Sequence, residues 1–202
     1  MPLVKKISPL KQSQLWLRKM IQPGDEVVDA TIGNGHDTLF LLQCLKQENT
    51  DIKGFLWGFD VQEQAVKNTQ IKLSQEGITV KNYSLHLASH AQLASIVQSN
   101  HLAAVMFNLG YLPGTDKTVI TQTNETLQAL QAALSKLKLG GVLSIMCYPG
   151  HSGGDKESLA VASWVNSLDI ESFSVKRVEA EFITNRSAFL LWIQKNKHDA
   201  CY

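Results

Sequence analysis

Short apolar runs rich in β-branched residues alternate along this chain with longer stretches whose apolar positions recur every third or fourth residue. The first run, Glu26-Val27-Val28-Asp29-Ala30-Thr31, follows the turn Pro23-Gly24-Asp25 and reads as a strand. A helix is expected from about Asp37 to Lys46. The second strand spans Gly54 to Asp60 and leads into a helix with Val66, Thr69 and Leu73 on one face, stopping near Gly77. A third strand is expected over Val80 to Leu87, where Tyr83, Leu85 and Leu87 alternate. Leu102 to Phe107 forms a fourth, running into Asn108. Leu127, Leu130, Leu134 and Leu137 then keep helical spacing up to Gly140-Gly141, where Val142 to Cys147 reads as a fifth strand. A further helix carries Val161, Trp164, Val165 and Leu168. Phe173 to Phe182 and Ala188 to Lys195 close the pattern as two strands with no helix between them.

Strands that alternate with helices imply an α/β fold, a doubly wound and mostly parallel sheet covered on both faces. The two final strands predict a C-terminal antiparallel hairpin, giving a seven-stranded sheet of the Rossmann-like, class I methyltransferase kind. A plain dinucleotide fold would continue its strand–helix repeat instead. With 202 residues the expected organisation is one domain over 1–202. Charged residues at 18% and hydrophobic ones at 44% exclude a disordered polyelectrolyte, and no apolar run is long enough to span a bilayer. The opening MPLVKKISPLKQ has no apolar core of a secretory signal, so a cytoplasmic location is expected. Cys44, Cys147 and Cys201 are odd in number and far apart, which reads as reduced thiols, the first two core-facing.

The first strand runs into Asp29-Ala30-Thr31-Ile32-Gly33-Asn34-Gly35-His36-Asp37. Gly33 and Gly35 would allow a tight turn and a close backbone approach to a ligand just before a helix N-terminus, at the edge where open α/β sheets bind ligands. Asp60, at the end of the second strand, lies where a carboxylate can accept from both hydroxyls of an adenosine ribose. It can equally cap the helix that follows, and the two roles are compatible. A nicotinamide dinucleotide would call for a third glycine where this chain has Thr38. The missing glycine and the closing hairpin favour S-adenosylmethionine (SAM).

Three blocks, DATIGNGHDT at Asp29–Thr38, FNLGYLPGTDK at Phe107–Lys117 and YPGHSGGDKE at Tyr148–Glu157, resemble the YtqB-like family, also called MnmM and long named as rRNA methylases. The resemblance covers nearly the whole chain. It implies a SAM-dependent enzyme that methylates the aminomethyl group of 5-aminomethyl-(2-thio)uridine at the tRNA wobble position. The expected partner is therefore tRNA through its anticodon loop; no membrane association is expected, and a homodimer is allowed. One departure is Asn185-Arg186-Ser187-Ala188-Phe189, where a proline-containing approach to the last strand is absent and no role is carried over.

Asn108-Leu109-Gly110-Tyr111 stands where amino-methyltransferases often carry Asn/Asp-Pro-Pro-Tyr/Phe, keeping the first and last members. An Asn108 carbonyl could accept from a substrate amine and aim its lone pair, while Tyr111 could stack on the target base. His151 lies in a glycine-bounded loop after the fifth strand and could take a proton or bind phosphate. The candidate catalytic residues are thus Asn108, Tyr111 and His151. The candidate cofactor-contacting residues are Asp29, Thr31, Gly33, Asn34, Gly35, Asp37, Thr38, Asp60, Gln62, Ser89, His90 and Asn108. His86, His90, His101 and His198 show no metal-ligand spacing, and no metal site is expected. A net charge of +1 means that any RNA contact must be local. Lys5, Lys6, Lys11, Arg18, Lys19, Lys117 and Arg186 are the candidates. A methyltransferase acting on rRNA, a small molecule or a protein is the competing reading, and a module that only senses SAM or a nucleotide is a third.

Overall fold

In a computed structural model, residues 7–46, 51–110, 123–150, 153–180, 184 and 187–196 are described. The chain forms α1 (Pro9–Met20), β1 (Glu26–Asp29), α2 (His36–Cys44), β2 (Phe55–Asp60), α3 (Glu63–Gln75) and β3 (Tyr83–Leu87). A single 3-10 turn leads into α4 (Leu93–Ile96). Then come β4 (Leu102–Leu109), α5 (Thr123–Lys136), β5 (Leu137–Cys147), α6 (Gly154–Asn166), β6 (Phe173–Glu179) and β7 (Phe189–Lys195).

The strands join in one seven-stranded sheet of order β3-β2-β1-β4-β5-β7-β6. β1 to β5 pair in parallel, and β7 runs antiparallel to both β5 and β6. The expected doubly wound sheet and closing hairpin are therefore present. Strand order reverses between β1 and β4, and such a switch point opens a crevice beyond the carboxyl ends of the strands. Asp29 ends β1 and Asn108 nearly ends β4, so both reach that crevice.

Successive side chains of a strand point to opposite faces, and each face has its own core. Val28, Phe107, Leu143 and Ile145 pack with Leu93, Leu130, Leu134, Val161 and Val165 of α4, α5 and α6. Val27, Ala104, Met106 and Val142 pack on the other face with Leu17, Leu41, Leu42 and Leu73 of α1, α2 and α3. Each fully buried leucine contributes about 1.5–3 kcal/mol, so both helical layers are firmly held. Cys44 and Cys147 are buried, and burial pushes their thiols up to about 11 and about 12.

Several boundaries depart from the sequence expectation. Leu137, expected on the α5 face, opens β5 instead, because its backbone pairs with Leu102 of β4. The register then shifts, with Gly140 at φ 77° and Gly141 so near the Leu102 carbonyl that a Cβ would lie 2.7 Å from it. β3 begins at Tyr83 rather than Val80: Val80 is exposed, and Asn82 N–H closes a turn onto the Thr79 carbonyl. β1 ends at Asp29 and α2 begins at His36, a residue before Asp37. β6 ends at Glu179, while Phe182 lies outside the described residues. Among the described residues, no helix is long and apolar enough to cross a membrane.

α1 precedes the strand–helix alternation and was not signalled by it. Ser8 caps it through Lys11 N–H at 3.3 Å, and Pro9 takes the first helical turn, where its missing N–H is harmless. Leu17 is fully buried, the Ser13 hydroxyl meets that of Ser144 on β5 at 2.6 Å, and Trp16 packs edge-on against Trp192 of β7 at 5.1 Å.

Candidate functional site

The loop between β1 and α2 is built from its glycines and the carboxylates around it. Gly33 and Gly35 have φ of 51° and 73°, in the left-handed region where glycine carries no steric penalty. A Cβ on Gly35 would lie 2.6 Å from the Thr69 hydroxyl of α3. The loop is tied to α3 in two further places: Thr69 Oγ1 donates to the Gly33 carbonyl at 3.2 Å, and Asn68 Nδ2 donates to Asn34 Oδ1 at 3.3 Å.

Asp60 holds the loop to β2. Its Oδ2 accepts the Gly33 N–H at 3.0 Å and its Oδ1 accepts the Gln62 N–H at 2.9 Å. Gln62, not Asp60, is the N-cap of α3, so Asp60 ties down the backbone ahead of the helix rather than capping it. Burial raises its carboxyl, and those backbone bonds oppose the rise. With the Val61 N–H as a third backbone donor, the carboxylate keeps room for one further donor.

Asp29 is fully buried. Its Oδ2 accepts from Thr38 Oγ1 at 2.7 Å and its Oδ1 from Thr31 N–H at 3.2 Å. Thr38, where a dinucleotide loop would have its third glycine, is buried and serves as that donor. Burial above all, and then the charge of Asp37, push Asp29 up to about 7 against the two hydrogen bonds.

Asn108 joins this cluster from β4. Its N–H donates to Thr31 Oγ1 at 2.7 Å and its Nδ2 to Asp37 Oδ2 at 3.0 Å. Its Oδ1 is buried and has no hydrogen-bond partner among the described residues. Beyond β3, Ser89 Oγ accepts the Ala91 N–H at 3.2 Å and donates to Glu125 of α5. His90 is buried edge-on against Phe107, its ring pushed down to about 4 by burial and hence neutral, and its Nε2 also lacks a partner. His86 Nε2 is the third such atom among the described residues, on a ring stacked over Phe59. A buried polar atom without a partner is costly, and three lie toward the carboxyl ends of β3 and β4.

The structure thus brings Asp29, Thr31, Gly33, Asn34, Gly35, Asp37, Thr38, Asp60, Gln62 and Asn108 into one bonded cluster around the β1 loop. Ser89 and His90 stand beyond β3. Tyr111 and His151 lie outside the described residues, as do Lys5, Lys6, Lys117 and Arg186. Lys11, Arg18 and Lys19 are exposed on α1. Two neighbours carried no sequence signal, Gln14, whose Nε2 donates to Asp37 Oδ1 at 2.9 Å, and Glu125; Tyr148, whose phenol is raised by burial and by the Asp37 charge, was marked only as the start of the third family block. Only Ser8-Pro9, a cap followed by proline at the first helical turn, could have announced the helix that carries Gln14.

The model of the "Putative rRNA methylase" family matches residues 56–194, well over half of the chain. The chain belongs to this family. A curated member-like relative, the "tRNA (mnm(5)s(2)U34)-methyltransferase, chloroplastic" of Arabidopsis thaliana, is 38% identical over 161 residues, covering 77% of this chain. The chain spans 58% of that relative's length. A crystal structure described as a putative rRNA-methylase from Clostridium thermocellum is 32% identical, with a TM-score of 0.88 over 95% of this chain and 100% of its own. A methyltransferase structure from Streptococcus mutans, in complex with SAH, is 36% identical with a TM-score of 0.82 over 94% of this chain and 99% of its own. Family and fold thus agree with the sequence resemblance.

Proposed function

We propose that this chain is a SAM-dependent N-methyltransferase whose acceptor is the primary amine of 5-aminomethyl-(2-thio)uridine at the wobble position of tRNA. One observation carries the reading: Asn108 Oδ1 is buried at the switch point, beside the glycine loop, with no partner among the described residues. An acceptor of this kind suits a substrate N–H, and its fixed direction would turn the amine lone pair toward the cofactor. The relative's name, with methyl transfer to a tRNA uridine, and the SAH held by the Streptococcus mutans protein support it.

The residues fit the cofactor. The left-handed glycines leave the loop backbone open to close approach, and the remaining acceptor capacity of Asp60 suits a ribose hydroxyl. His90 Nε2 offers an unmatched neutral nitrogen beyond β3. When bound, SAM supplies an electrophilic methyl group. Asn108 then orients the amine, Tyr111 stacks on the base, and His151 receives the proton that an aliphatic ammonium must lose before it can attack. A wobble base sits in a single-stranded loop, where it can be splayed out without melting a duplex.

Mass spectrometry of nucleosides from tRNA incubated with the protein and SAM tests this. The methylaminomethyl nucleoside should appear from tRNA that carries the aminomethyl group. No transfer to that tRNA, or equal transfer to tRNA lacking the group, would overturn it. The family description favours rRNA as the competing acceptor, so methylation of rRNA but not tRNA is the outcome that would support that alternative.

A further inference from the structure

An asparagine side chain is nearly symmetric in shape, and a half-turn of its amide exchanges donor for acceptor. What faces the amide therefore decides which end meets a ligand. Here Asp37 decides it: a carboxylate oxygen at 3.0 Å from Nδ2 would repel an amide oxygen in the same place, so Oδ1 is left facing the other way. Asp37 could itself rotate, but its second oxygen accepts from Gln14 Nε2 at 2.9 Å. Gln14 in turn sits on a helix fixed on either side of it. Ser13 is buried against Ser144, Trp16 packs on Trp192, and Leu17 is fully buried.

We propose that Gln14 is a positioning residue, and that the relay Gln14–Asp37–Asn108 holds the Asn108 carbonyl toward the acceptor amine. The proposal rests on the reading that Asn108 Oδ1 accepts from that amine. It gives α1, which lies outside residues 56–194 matched by the family model, a part in the chemistry. Both bonds to Asp37 are charge-assisted, hence short-ranged and directional, so a single missing donor loosens the whole relay.

The test uses Gln14→Ala and Gln14→Glu beside Asn108→Ala, in the full chain with SAM and tRNA bearing the aminomethyl group. Gln14→Ala should lower kcat by about tenfold through loss of orientation, with KM for tRNA and SAM affinity by calorimetry within about twofold of the parent. Gln14→Glu sets carboxylate against carboxylate at neutral pH, but a protonated glutamic acid can donate as Gln14 does. Its rate relative to the parent should therefore climb as pH falls, while the Gln14→Ala ratio stays flat. Asp29 and Tyr148, which feel the charge of Asp37, its neighbour His36, and Lys11 and Arg18 one turn either side of Gln14 are common to the parent and both Gln14 variants, so their own titration cancels in the ratio.

A second readout needs no substrate. In 15N-labelled protein the Asn108 amide protons, assigned by their absence from Asn108→Ala, should be widely separated in the parent. They should draw together in Gln14→Ala. If Asn108→Ala loses rate while Gln14→Ala keeps both rate and amide shifts, Gln14 has no positioning role and the site reading stands. If Asn108→Ala keeps full rate, the site reading falls and takes the proposal with it. Should Gln14→Ala fail to fold, the near-isosteric Gln14→Glu decides alone: a flat rate ratio across pH rejects the relay.

Discussion

Lys138 of β5 pairs with Asp25 just before β1, Ser99 donates to Glu26, and Lys136 and Lys195 donate to the carbonyls of Val97 and Leu137 at 2.6 and 2.9 Å. All of these lie at the edge where the parallel strands begin. At the opposite edge His86, His90 and Asn108 each keep a buried nitrogen or oxygen without a partner among the described residues, and Asp29 is held where ionisation is unfavourable. The first edge also has a cavity of about 320 Å³, lined in part by Gly24, Gly54, His101 and Lys138, but on its wall Asp25 is paired with Lys138 and Glu26 accepts from the Ser99 hydroxyl. Space alone does not mark a site; unmet hydrogen-bonding capacity does. One edge is finished by its own side chains, and among the described residues the other keeps hydrogen-bonding capacity unmet.

The largest effect that would sharpen this contrast is a pH dependence at Asp29. Its folded value of about 7 stands above the ordinary 3.8, so the folded state holds a proton that the unfolded state has released. Stability therefore falls as pH rises from about 4 to about 7, by up to about 4 kcal/mol at roughly 1.4 kcal/mol per unit. Asp29→Asn, which can keep partners at Thr31 and Thr38, should remove that loss. Urea unfolding at several pH values should show the variant gaining on the parent as pH rises, and a constant difference would mean that Asp29 ionises normally.

Next comes Asn108→Ala, which removes the unmet acceptor. Single-turnover methyl transfer should slow by about a hundredfold, roughly 2.7 kcal/mol, with SAM affinity nearly intact. An unchanged rate would leave the orphaned oxygen without a role.

The glycines allow a matched comparison. Gly35 at the site and Gly24 at the opposite edge both have positive φ, yet a Cβ on Gly35 strikes Thr69 while one on Gly24 meets nothing within 4 Å. Gly24→Ala should lose about 1–2 kcal/mol from the backbone alone, and Gly35→Ala roughly 1–3 kcal/mol more from overpacking. Thermal unfolding of the pair decides this, and equal losses would show that the loop yields at no penalty.

Asp60→Ala should weaken SAM binding by about tenfold in calorimetry, since about 1.4 kcal/mol corresponds to that factor. Lys138→Ala, at the finished edge, should change stability by less than about 1 kcal/mol and leave the transfer rate alone. A rate loss there comparable to that of Asn108→Ala would erase the distinction between the edges.

The sheet was readable because β1, β2, β4 and β5 are apolar runs between glycine turns, and strands buried on both faces need little else. Gly33 and Gly35 were legible as candidates because they lie in the loop that leaves β1, and Asp60 and Asn108 because they stand at or next to a strand end, where fold class alone locates the crevice. α1 was not. Its buried positions Pro9, Ser13 and Leu17 follow helical spacing, but only one of them is large and apolar, so the stripe that marks a surface helix is missing. Leu137 misled for the opposite reason: it continues the leucine spacing of α5, while its partner Leu102 lies far back in the sequence. Gln14 and Glu125 reach Asp37 and Ser89 across the fold, and no spacing along a chain encodes such a meeting.

The seat of α1 also sets an order of events during synthesis. The helix is the first described element to be made, and its docking partners include Ser144 of β5 and Trp192 of β7, the last described strand. Contacts this far apart in sequence form late, because the intervening loop must close before they are rewarded. A nascent chain could therefore seat Leu17 of α1 against Leu41 and Leu42 of α2 early, while Trp16 keeps its face open until β7 has left the ribosome. Gln14 and Asp37, on neighbouring helices, can meet before any of this, whereas Asn108 joins them only after β4 is made, so an incomplete chain would hold the first half of the amide relay while the second was still open.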